Sequence, residues 1–232
     1  MKTVEARPIA RLTLWLTIVL IAAMANKLML AIAYGLHGLA LADFAAADPL
    51  TMFDPVPGAQ GVEAVLTSAS LLLVVLALSS GALALIWIRR ANQIAHVFAW
   101  NIQATPLWSV LWWFIPGAAL FKPYGVFSEI LRSSQDPDRW RALGDRPQLR
   151  WWWGLHLVGG LCGSIASFLE RRTATVADVV LAEQILIVSL VVQLVAGCLF
   201  LGLIKRIARS QTQLMQQGRR RPKDTGSPAW SA

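Results

Sequence analysis

Charge is scarce in this sequence. Asp, Glu, Lys and Arg make up 15% of the 232 residues, too few to solvate a folded domain of that length, so a water-soluble globular class is excluded. Cysteine is almost missing: Cys162 and Cys198 both fall inside apolar runs, which excludes a disulfide framework. His37, His96 and His156 lie far apart with no second ligand at metal spacing, so no metal and no cofactor is expected. No phosphate-binding glycine loop, nucleophile elbow, HExxH pair or paired acid and base is present, and the chain is not expected to be an enzyme. The formal net charge of +8 comes without a zinc-finger or RNA-recognition signature, so nucleic acid is not an expected partner.

What the chain has in quantity is apolar surface. Hydrophobic residues are 56% of it and the mean hydropathy is +0.54, the composition of an integral membrane protein with the lipid bilayer as its main partner. Trp15, Trp87, Trp100 and Trp151 to Trp153 sit near the ends of apolar runs, where amphipathic rings favour the headgroup region. The expected fold is all-α: a polytopic helical bundle with four spans at about 12–36, 62–88, 151–169 and 179–204. The start resembles a secretory signal peptide, with Ala23-Met24-Ala25 as a cleavage site. The apolar pattern resumes after Lys27, however, and the stretch reads as an uncleaved span. The loop from about 41 to 61 carries Asp43, Asp48 and Asp54 and no Lys or Arg, as an outside loop does. Residues 91–105 mix Ile94, Val97 and Phe98 with Asn, Gln and His, which suits a helix lying in the interface.

The segment 106–121 organises the rest. Leu107 to Phe121 is uncharged but only 15 residues long, about 22 Å as a helix against a hydrocarbon core of about 30 Å, and Pro116 and Gly117 break it. If it dips in and returns, 18 of the 21 Lys and Arg lie on the cytoplasmic side with both termini. A full crossing gives a five-span alternative, in which the stretch from Lys122 to Arg150 and the basic tail fall on opposite sides. An amphipathic helix is expected over 123–134, with Pro123 in its first turn. Gly125, Glu129 and Arg132 share one face, read either as a solvated face with a Glu129/Arg132 pair or as the rim of a vestibule. Residues 133–150 read as a solvated loop, and 210–232 as a basic polar tail without fixed structure.

The middle and last third of the chain resemble a known pattern. Trp87 and Arg90, Asn92, Pro106, Trp112-Trp113-Phe114-Ile115-Pro116, Lys122-Pro123-Tyr124, Glu129-Ile130, Ser133 and the Trp run 151–153 are similar to the bacterial membrane family known as domain of unknown function 4328. The resemblance implies a membrane bundle and brings no catalytic residues. Where that family usually has Gly after the basic helix end, this sequence has Ala99-Trp100-Asn101.

Several polar residues are candidates for a ligand site or pathway: Lys27, Asn92, Pro116, Gly117, Lys122, Tyr124 and Glu129. Lys27 needs an acid such as Glu63 or Glu183, or a route for its stem to snorkel out. The break at Pro116-Gly117 frees backbone groups that lipid cannot satisfy. Gly159, Gly163 and Ser167 form a small face for helix packing, and Ser189, Gln193 and Gly197 a polar stripe facing such a contact. Two functions fit. One is a membrane scaffold or interaction protein that meets anionic headgroups or a membrane protein partner at the cytoplasmic face. The other is a small channel or transporter using 106–121, as a homo-oligomer because four spans surround little space.

Overall fold

The computed structural model describes residues 9–47, 59–172 and 175–218. The chain is all-helical, with no strand among the described residues. In order come α1 (Ala10–Ala47), α2 (Ala59–Phe98), the short α3 (Trp108–Leu111), α4 (Lys122–Gln135), α5 (Pro147–Glu170) and α6 (Val176–Gln216). Single 3-10 turns lie at Trp112–Phe114, Ala118–Leu120 and Trp140–Ala142. Four helices, α1, α2, α5 and α6, are long and apolar enough to cross a membrane. The start of α6 is a reciprocal cap: the Thr175 N–H donates to Asp178 Oδ2 at 3.0 Å, and the Asp178 N–H donates to Thr175 Oγ1 at 3.2 Å.

Three expectations are corrected. Residues 91–98 are not a separate interfacial helix but the last two turns of α2, because no Pro or Gly falls between Arg90 and Phe98 and Ala91, Ile94, Ala95 and Phe98 are buried. The tail is not structureless from 210, since α6 continues to Gln216 with Gln211 and Leu214 buried; residues 219–232 lie outside the described residues. The loop expected over 41–61 is shorter, with α1 reaching Ala47 and α2 starting at Ala59; Asp48 and Asp54 lie outside the described residues.

The chain divides into two compact units. The first comprises Met1–Leu14, Ala84–Arg146 and Leu203–Ala232. Its core is ordinary: Trp87, Ile88, Phe127, Ile130, Leu203 and Ile204 are each at most 1% exposed. Burying side chains of this size contributes about 1.5–3 kcal/mol apiece. Trp87 stacks on Phe127 with ring centres 6.4 Å apart, and its indole N–H donates to Thr13 Oγ1 at 2.9 Å.

Within this unit the segment 106–121 turns back. The 3-10 turns on either side of Pro116-Gly117 pack on each other and on α4, with Gly117 at φ 78, a conformation that glycine adopts without strain. The carbonyls of Ile115, Gly117 and Ala118 accept from Ala119, Leu120 and Phe121 at 2.9 to 3.1 Å, so the break satisfies part of the backbone it frees. Leu107, Phe114 and Phe121 stand out from the unit at 56%, 67% and 73% exposure.

The second unit comprises Trp15–Leu83 and Pro147–Gly202. Its surface carries bare Leu71, Leu78 and Leu161, while Asn26 and Ser189 are buried. Leu30, Ala33, Leu66, Ala69 and Leu190 form its core. Apolar side chains outward and hydrogen-bonded polar groups inward are what a lipid solvent selects.

Candidate functional site

In the second unit the polar side chains of three long helices meet. Lys27 of α1 donates from Nζ to Gln193 Oε1 of α6 at 2.7 Å. Gln193 is held in turn, its Nε2 donating to Ser189 Oγ at 3.1 Å and to the Gly159 carbonyl of α5 at 3.4 Å. Ser189 also donates to Gly159 O at 2.8 Å. The contact requires glycine on α5. A Cβ at Gly159 lies 2.7 Å from Gln193 Cγ, and one at Gly163 lies 3.1 Å from Ser189 Oγ. One turn further along α6, a Cβ at Gly197 lies 3.1 Å from the Met24 sulfur.

Beside this cluster is an open cleft of about 470 Å³. Its walls include Lys27 of α1, Ala77 of α2, Gly163, Ser164, Ser167 and Arg171 of α5, and Ser189 and Gln193 of α6. No Asp or Glu is among its lining residues. Lys27 therefore meets a neutral amide, not Glu63 or Glu183 as the need for an acid suggests, and its amine is directed to α6 instead of snorkelling outward. Arg171 folds back along α5, with Nε donating to Ser167 O at 3.0 Å.

Glu183 pairs instead with His37, Oε1 to Nδ1 at 2.7 Å. It lines a smaller cavity of about 80 Å³ with Tyr34, Ser167 and Glu170. Among the described residues, no group of three or more His, Cys, Asp or Glu comes together.

The remaining candidates lie in the first unit. Asn92 is fully buried, and its amide N and O have no partner among the described residues. Pro116 and Gly117 are exposed at the turn. Lys122 lies over the Trp112 ring at 5.2 Å. Tyr124 donates to Asp145 Oδ2 at 2.7 Å, Ser128 donates to the other oxygen of Asp145, and Arg132 pairs with Asp145 at 3.6 Å. The face of α4 is thus neither solvated nor built on a Glu129/Arg132 pair. Glu129 is 9% exposed and accepts the Ala104 N–H at 3.2 Å. Nor is 133–150 a free loop, for Arg132 also donates to Leu143 O at 3.1 Å and Trp140 donates to Trp100 O at 3.0 Å.

Four participants were not anticipated: Arg171, Asp145, Gln211 and the His37 partner of Glu183. Gln211 donates to Ala91 O at 2.9 Å and to Ser134 Oγ at 3.1 Å. A signal for it existed, because it continues the helical stripe Leu203, Ile204, Ile207 and Ala208. Asp145 carried no such signal.

The sequence profile described as domain of unknown function (DUF4328) matches residues 58–209, about two thirds of the chain. The chain belongs to the DUF4328 family. In this DUF4328 protein, Gly159, Gly163, Arg171 and Gln193 fall within the matched stretch, whereas Lys27 precedes it. The cleft is thus built on helices of the DUF4328 region and furnished with an amine from α1. Neither a curated protein nor a solved structure matches the chain.

Proposed function

We propose that this protein is a non-catalytic membrane scaffold that presents its first unit at the cytoplasmic face to anionic headgroups or to an acidic membrane partner. One observation carries this reading, the sign of the unit's surface. Arg11, Arg89, Lys122, Arg139, Arg141, Arg146, Lys205, Arg206 and Arg209 are exposed, against Asp138 as the exposed acid among the described residues. Basic residues beside a span gain about 1 kcal/mol each near an anionic leaflet, and their excess sets the cytoplasmic side. Both termini lie on that side in this reading. The hairpin at 106–121 enters the same leaflet with Leu107, Phe114 and Phe121 and leaves where it entered, because its turned-back arms are too short to cross.

The test is reconstitution of the full chain in vesicles with and without phosphatidylglycerol. Enrichment of the anionic lipid around the protein is expected, together with its loss when Lys205→Gln, Arg206→Gln and Arg209→Gln are combined. Unchanged enrichment in that variant, or ion flux above that of empty vesicles, overturns the reading.

A second reading, a small oligomeric transporter, draws support from the Lys27 cleft. Its pathway then runs along the second unit and not through 106–121, since every lining residue of the cleft belongs to that unit.

A further inference from the structure

We propose that the cleft beside Lys27 binds an oxyanion headgroup, with Lys27 as its principal contact and Arg171 at its entrance. Three observations point to an anion. First, an ammonium group carries three N–H donors, and a single hydrogen bond, to Gln193, holds Lys27 among the described residues. That partner is neutral and is itself fixed by Ser189 and Gly159, so the positive charge is oriented but not cancelled. A bare cation at membrane depth costs a few kcal/mol or more, and a bound anion removes that cost.

Second, the other ionisable group on the cleft wall is also a cation. Arg171 is turned back toward the cleft by its bond to Ser167 O, and no lining carboxylate competes for either charge. Arg171 lies at the end of α5, about 16 Å of helix from Gly160 on the same wall. A negative group entering at the helix end meets Arg171 first and Lys27 further in. Third, the wall between them is made of Gly163, Ser164 and Ser167, whose small side chains leave the space open and offer hydroxyls. A volume of about 470 Å³ is in the range of small-molecule sites. The apolar part of the lining, Leu73 and Leu186 among it, suits the upper acyl chain of an amphiphile. A phospholipid phosphodiester and free phosphate share the required chemistry, and the experiment separates them.

The full-length protein in neutral detergent is titrated with fluorescent phosphatidylglycerol, with fluorescent diacylglycerol as the phosphate-free control and inorganic phosphate as competitor, at about 0.5 M salt. Such salt screens the exposed basic surface of the first unit more than it does the part-buried Lys27. A single saturable site for phosphatidylglycerol is expected, weakened about tenfold by Lys27→Gln and restored by Lys27→Arg, as for loss of a charge-assisted hydrogen bond. Arg171→Gln, at an exposed helix end where folding is not at stake, is expected to weaken it several-fold. Competition by inorganic phosphate assigns the site to a free anion, and its failure to compete assigns it to a lipid headgroup. Equal binding of the two lipids with no phosphate binding, or binding unaltered in both Lys27→Gln and Arg171→Gln, overturns the proposal. The triple variant Lys205→Gln, Arg206→Gln and Arg209→Gln leaves this site intact, so failure here and failure of the scaffold reading are distinguishable.

Discussion

At the scale of single residues, Asn101 is the position under the most backbone constraint. It sits at φ 55 in the turn after α2, the one non-glycine at positive φ among the described residues, and Asn is among the few side chains that tolerate this region. Asn101→Gly is expected to keep or slightly raise thermal stability, and Asn101→Val to lower it by about 1–2 kcal/mol. Thermal unfolding in detergent reads both. Gly159 is the second such position. Gly159→Ala pushes into Gln193 and is expected to cost about 1–3 kcal/mol, whereas Gly160→Ala, whose Cβ meets nothing within 4 Å, is near neutral. The close contact at Gly159 and Gly163 follows from lipid-embedded helices approaching closely only over small residues, whereas Ser167, expected on the same face, is exposed on the cleft wall. The partner of Lys27 was not legible in the sequence, since the cost of a buried charge suggests an acid and the fold supplies an amide.

At the scale of elements, the long helices were legible in outline because a bilayer demands uninterrupted apolar runs. Their ends inside the first unit were not. There α2 and α6 bury Asn92 and Gln211 alongside Ile94 and Ile207, and a stripe broken by amides reads as surface. The segment 133–150 was read as solvated because its order depends on Asp145 meeting Tyr124 and Ser128, 21 and 17 residues earlier. Asp145→Ala removes the acceptor of two hydroxyls and the partner of Arg132. It is expected to destabilise the segment by about 2–3 kcal/mol, seen as faster protease cleavage between Asp136 and Arg146. Likewise Gln211→Ala leaves the Ala91 carbonyl and the Ser134 hydroxyl short of a donor and is expected to cost about 1–3 kcal/mol in the same unfolding assay.

At the scale of the molecule, α1, α2 and α6 contribute to both units, while α5 lies wholly in the second. The first carries a basic surface over an interior that also buries Asn92, Glu129 and Gln211, and the second carries bare Leu71, Leu78 and Leu161 outside and polar bonds inside. The account turns on how 106–121, a part of the first unit, meets the bilayer. The most direct measurement is cysteine labelling by a membrane-impermeant reagent in sealed vesicles of known orientation, at Thr105→Cys and Lys122→Cys, two exposed positions flanking the segment. The account predicts that both label from the cytoplasmic side only. Labelling of Lys122→Cys solely from the opposite side, with Thr105→Cys still cytoplasmic, contradicts it.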